Sequence, residues 1–299
     1  MATIIHERPG VYSSYDASAV IRSGRSVRVI GVAAKSVSGT ANTPVTLTSY
    51  EAGVSAFGED AEGSPGMSTI LRLLFLNSAA TVVAVAVDED DYAAAFAALE
   101  AVENVQVVVC DSADQTVQQK LRESVENASA LRRERIAVVG MSKATTTELT
   151  ARATALNSER MVLVGPDVVT SGGDSLSGVF AAAAVAGAVA ASGDPAIPLN
   201  GAALRGLGGV SQLYSDNDID LLVRGGVTPL EAVSGVVSPV RGITTRTTTR
   251  MVVSSRQVVS CAPPVVVRVV MPRTGETTPL TASKGVTPPR TSRSMSLSL

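Results

Sequence analysis

The chain has no tryptophan, one histidine and two cysteines in 299 residues, and aromatics make up only 3% of it. Each scarcity removes a class of function. Sites that stack flat ligands or unpaired bases depend on aromatic faces, which are nearly missing here. General acid–base catalysis uses histidine most often, and a nucleophilic triad needs a histidine held in a pocket by a third group. The single histidine, His6, lies near the N-terminus, outside any segment with core periodicity. There is no CxxC and no HExxH, so the common zinc ligand patterns are missing too. No catalytic residue, metal or cofactor is therefore expected.

Charge of one sign is also lacking. The formal net charge is −2, which creates no global attraction to nucleic acid or to an anionic membrane, and neither is expected as a partner. The opening MATIIHERPG has no apolar h-region and reads as no signal peptide. The longest apolar stretch, 179–191, is shorter than the roughly 20 residues that span a bilayer. Two cysteines make no disulfide framework. Cys110 falls in the apolar run 105–110 and reads as a buried reduced thiol, in keeping with synthesis in a cytosol.

What the chain does have is alanine and valine. It is 45% hydrophobic and 17% charged, enough to fill a core, and its length suits about two domains. Residues 1–25 read as an N-terminal arm, with a turn at Pro9-Gly10. Residues 26–80 read as a small β-rich subdomain: strands at 26–34 and 45–49 with a Ser/Gly/Thr/Asn loop between, then helices at 50–57 and 67–77. In the second helix Ile70, Leu71, Leu74 and Phe75 share a face.

Residues 81–194 read as a central α/β core. Strands are expected at 81–87, 105–110, 136–140 and 161–164, and helices at 92–102, 115–131, 146–156 and 179–191. In the 115–131 helix Val117, Leu121, Val125 and Ala128 fall on one face at 3.6 residues per turn. Strands alternating with helices predict an α/β fold with a mostly parallel sheet flanked by helices. Residues 195–249 read as the C-terminal part of the core. A short helix at 218–223 stops at Gly225-Gly226, and strands are expected at 233–240 and 243–249. Residues 250–299 are rich in Pro, Ser and Thr, poor in acids and without a period, so they read as a poorly ordered tail.

Four motifs invite chemistry. Asp88-Glu89-Asp90-Asp91 has oxygen ligands for a hard cation but not the alternating spacing of a calcium loop; directly before a helix, it reads as capping. The loop from Gly165 to Gly178 lies between a strand and a helix, where α/β proteins bind ligands. It lacks GxGxxG and GxxxxGK[ST], and Asp167 and Asp174 would repel a phosphate. A nucleotide- or metal-binding enzyme built on this loop is the alternative reading. Ser142-Lys143 follows a strand and reads as a helix-capping loop rather than a catalytic dyad. The basic tail has no aromatics to interleave with bases.

Several blocks resemble the contractile phage tail sheath proteins: Pro9-Gly10-Val11-Tyr12, VRVIG at 27–31, NTPV at 42–45, LTSYEAGVSAFG at 47–58, and 67–87 ending in NSAATVVAVAV. The late blocks are the most specific. They are Pro198-Leu199-Asn200-Gly201, 217–222, Gly226-Val227 and Arg241-Gly242-Ile243-Thr244-Thr245. The resemblance covers roughly residues 8–249. It implies a sheath subtilisin-like core without a protease triad, extended terminal arms, and a non-enzymatic subunit. That subunit would assemble into hexameric rings stacked helically around a tail tube protein, and would meet baseplate and tail terminator proteins. Pro9, Gly10, Val11 and Tyr12 would belong to an intersubunit arm that adds a strand to a neighbour's sheet. The location implied is the virion tail, assembled in the bacterial host cytoplasm; a tailocin or secretion-system sheath would share the pattern. The stretch 250–299 departs from the family and reads like a frame-shifted or replaced end.

Overall fold

A computed structural model describes residues 28–247 of the chain, apart from 62, 195 and 196. Strand β1 (Val29–Ala34) leads through a loop to a short strand, β2 (Pro44–Leu47), and two helices, α1 (Tyr50–Phe57) and α2 (Met67–Leu76). Three strand–helix units follow: β3 (Thr81–Ala86) with α3 (Tyr92–Ala101), β4 (Val105–Cys110) with α4 (Gln115–Ala130), and β5 (Ile136–Gly140) with α5 (Thr146–Leu156). Next come β6 (Met161–Gly165), the pair β7 (Val168–Thr170) and β8 (Ser175–Leu176), and the alanine-rich α6 (Gly178–Ala191). The last elements are β9 (Leu207–Val210), α7 (Asp216–Gly225), β10 (Val227–Val233) and β11 (Val236–Pro239).

The main sheet has eight strands in the order β11-β10-β6-β5-β4-β1-β3-β2. Its six inner strands run parallel, and the outer two are antiparallel to their neighbours. This is the α/β fold, a mostly parallel sheet flanked by helices, that the alternation predicts. A second sheet of three strands, β8-β7-β9, lies in the same part of the chain as α6. β1 and β2 fall in the stretch 26–80, and β1 lies inside the main sheet between β3 and β4.

Side-chain alternation along the strands splits the core in two. Ile30, Val32, Val82 and Ala84 face α2 and α6 on one side, with Phe57 of α1. Ala33, Val83, Val85 and Val108 face α3, α4, α5 and α7 on the other. Helix α6 is buried almost all round, because it runs between the sheet and α2. Only small side chains permit that approach: a Cβ at Gly187 would sit 2.8 Å from the Asn77 Cβ and 3.1 Å from the Leu74 carbonyl oxygen.

Four details differ from the sequence reading. In α4 the fully buried face is Gln118, Leu121, Val125 and Ala128, while Val117 is half-buried; Gln118 displaces it because its amide finds internal partners. The loop from Gly165 to Gly178 contains the β7–β8 pair. The strand expected at 233–240 is two strands of a hairpin, reversing at Ser234 and Gly235 with φ of 52° and 78°. That pair of positive φ values marks a primed hairpin turn. The stretch 243–249 forms no strand among the described residues. Its only sheet-like contact there is a bridge from Arg246 to Ser158.

Candidate assembly surfaces and the closed ligand crevices

Open α/β sheets bind ligands beyond the C-terminal ends of the strands, where successive connections leave on opposite faces. In this sheet that point lies between β1 and β4. Asp111, just after β4, fills it. Its carboxylate accepts from the Lys35 backbone N–H at 2.8 Å and from the Tyr92 hydroxyl at 2.7 Å. The Lys35 ammonium turns to Asp90 at 2.7 Å. Burial pushes the Asp111 carboxyl above its ordinary value, against the hydrogen bonds from Lys35 and Tyr92. Burial, then the adjacent Asp111, raises the Tyr92 hydroxyl. A half-buried carboxylate at the centre of the crevice rejects anions.

The second crevice, at the loop from Gly165 to Gly178, is filled in the same way. A helix N-terminus offers free N–H groups to an anion. At α6 the chain supplies its own: the Asp167 carboxylate accepts from the Gly178 N–H at 2.7 Å and from the Lys143 N–H at 2.9 Å. The backbones cross closely there, since a Cβ at Gly140 would lie 2.1 Å from the Gly178 carbonyl oxygen. The Ser142-Lys143 loop thus contributes a backbone donor. Thr145 is the residue that caps α5, in a capping box with Glu148.

Asp91 of the acidic run caps α3 by accepting from the Ala94 N–H at 3.3 Å. Among the described residues no group of three or more His, Cys, Asp or Glu side chains is placed to hold a metal ion. Cys110 is buried and unpaired, and burial pushes its thiol up to about 12, which keeps it in the unreactive protonated form. No described helix is long and apolar enough to cross a membrane. Sequence reasoning missed Gln118, Arg135 and Asp111 as organising groups. Their only signal was a polar residue inside or beside an apolar run.

The surface differs from these closed interiors. At one sheet edge, β11 is covered by its own chain: its Val237 and Pro239 carbonyls accept from the Leu204 and Gly201 N–H groups at 2.8 and 2.9 Å. The other edge, β2, is four residues long, begins with a proline, and has no strand beyond it among the described residues. Short, proline-headed edges resist uncontrolled pairing. Large apolar side chains are exposed at the β10–β11 turn, where Val233 and Val236 are 60% and 46% exposed, and at Leu76, Leu131, Ile197, Leu213 and Leu221. Contiguous apolar patches mark contacts with another chain, whereas such single positions are ordinary surface. His6, the arm motif Pro9, Gly10, Val11 and Tyr12, and residues 250–299 lie outside the described residues.

Residues 86–245, more than half of the chain, match the family model for the phage tail sheath protein central domain. The chain belongs to the phage tail sheath family, and it is a structural subunit of a contractile tail sheath. Solved structures agree on the fold. A sheath tail protein from Desulfitobacterium hafniense superposes with a TM-score of 0.60 at 11% identity, covering 77% of this chain and 74% of that one. A sheath tail protein from Listeria innocua gives 0.60 at 13% identity, over 75% and 70% of the two chains. The contracted helical sheath of the anti-feeding prophage gives 0.56 at 16% identity, over 82% and 70%. Among curated proteins, no relative matches this chain in sequence.

Proposed function

We propose that the chain self-assembles into hexameric rings stacked helically around a tail tube protein. Contraction of this stack drives the tube through the host envelope. The family match over 86–245 carries this reading. The two filled crevices support a subunit that works by packing rather than by bond making, so no enzymatic role is assigned. In such a machine the energy lies in the difference in intersubunit packing between two assembled states. Pro9, Gly10, Val11 and Tyr12 form the linking arm in this proposal, and baseplate and terminator proteins close the two ends. The finished location is the virion tail, after assembly in the host cytoplasm.

Negative-stain microscopy of the purified full chain, alone and with a tube protein, tests this directly. Rings or tubes of regular diameter are expected. A chain that stays monomeric at every concentration and with the tube protein present would sink the assembly reading. A thermal-shift screen with nucleotides and divalent metals tests the non-enzymatic part. A melting midpoint that climbs with ligand concentration, as linkage requires of a bound ligand, would overturn it.

A further inference from the structure

The hairpin of β10 and β11 outruns the strand that carries it. β10 pairs with β6 over Val227, Thr228 and Pro229, and β6 ends at Gly165, opposite Pro229. From Leu230 to Val233 the strand continues past that end with β11 as its partner, about 13 Å of extended chain. Exposure rises along it, from the buried Leu230 to Val233 at 60%. Val233 and Val236 lie directly opposite each other in register. Their side chains therefore share a face and make one apolar tip, not two scattered positions. Glu231 is the only charged residue of the hairpin.

The tip stands at the C-terminal end of the parallel strands. At their N-terminal end, beside the starts of β4 and β5, two adjoining cavities of 390 and 320 Å³ share Arg28, Ile136 and Val189 in their walls and make one trough. Val107, Ile136, Val189 and Ile243 give it an apolar lining. Four arginines, Arg28, Arg135, Arg160 and Arg241, stand in the walls against one carboxylate, Glu134. Arg160 pairs with Glu134, and Arg241 with Asp220 at 3.0 Å. Each cavity has roughly ten times the volume of one liquid water, room for short aliphatic side chains. We infer that the trough of one copy receives the β10–β11 tip of a second copy, with Val233 and Val236 against the apolar lining and Glu231 facing the arginines. Docking removes both apolar surfaces from water, and opposite charge selects which surfaces meet. Because tip and trough lie at opposite ends of the strands, the contact is head-to-tail. Each copy keeps a trough for the next, so the contacts close into a ring or continue as a helix. The inference rests on the self-assembly proposed above and names one contact within it.

Cross-linking between two differently marked chains tests it. Both are full chains with Cys261→Ser, and the buried Cys110 is left in place. One carries Ser234→Cys in the exposed turn of the hairpin. The other carries either Gln106→Cys, in the trough wall, or Lys120→Cys, which is exposed on α4 and lines neither cavity. With the cysteines on separate chains, every 106–234 link joins two copies. A short bis-maleimide is expected to close the 106–234 pair in clear excess over the 120–234 pair. Equal yields, as when another stretch of chain or the tube protein fills the trough, would overturn the inference. Adding Val236→Asp to the Ser234→Cys chain should lower the 106–234 yield roughly tenfold, since a charge would then enter an apolar seat. An unchanged melting midpoint checks that this exposed substitution leaves the fold intact, and an unchanged yield would count against an apolar tip. Tubes from the parent chain with equal cross-link yields would overturn this contact and leave self-assembly standing. Selective 106–234 links without tubes would support the contact and overturn the larger assembly.

Discussion

Arg135 is 2% exposed, and its guanidinium donates to main-chain carbonyls of Leu99, Glu100 and Val102 rather than to a carboxylate. It closes the C-terminal end of α3, where free carbonyls and the helix dipole favour a cation. Arg135→Ala is expected to lose ~3 kcal/mol in urea unfolding, since charge-assisted hydrogen bonds to buried carbonyls are left unmade. Arg135→Lys should recover only part, lacking the planar fork. Gln118 has a similar role between strands: its amide donates to the Gly140 carbonyl at 2.8 Å, and its oxygen accepts from Arg152 at 2.7 Å. Asp111 has a pH signature. Burial raises its folded pKa above the unfolded value near 3.8, so its contribution is fully present below that value and is lost as pH rises through the folded pKa. Asp111→Asn does not titrate. Its urea midpoint relative to the parent chain should therefore rise between pH 4 and pH 7, and a constant difference would contradict the assigned burial.

At the scale of elements, the tightest point is the crossing of β5 and the start of α6. Gly140→Ala places a methyl group against the Gly178 backbone, where no side chain can swing aside. A loss of at least ~3 kcal/mol is expected, read by the thermal or urea midpoint, because overpacking against backbone forces the strand and helix apart. Helix α7 gives a milder test. Ser215 and Asp218 form a capping box at its start, and Ser215→Ala should cost ~1 kcal/mol. Most of these elements were legible beforehand. α1, β4, β5 and α5 begin and end where period and capping residues place them. The misses have a common cause. β9 and β10 are glycine- or proline-containing strands, LGGV and VTPLEAV, whose local chemistry signals turns. Their pairing is set by neighbours distant in sequence, and no local pattern reports that.

At the scale of the molecule, the central prediction separates folding from assembly. Deleting residues 1–15 removes the arm motif but leaves β1 and both cores intact. The shortened chain should melt at the parent temperature and form no rings or tubes in negative stain. Tubes of normal appearance would show that the arm is not the link. Among the described residues the edge strand β2 is short and β11 is bonded to its own chain, features that resist uncontrolled pairing.

The sequence by itself determined the α/β alternation and the order of strands and helices as far as β6. Those properties follow from residue types and their local period. Its ordered blocks also pointed to the sheath family, which the match over 86–245 established. Only the tertiary structure decided where β1 sits in the sheet and that Asp111 and Asp167 fill the two crevices. Each of these is a contact between segments far apart in the chain, such as Lys35 with Asp111 or Lys143 with Asp167. Local preference carries no information about such contacts. They are selected by which packing buries the most apolar surface while leaving every buried polar group a partner.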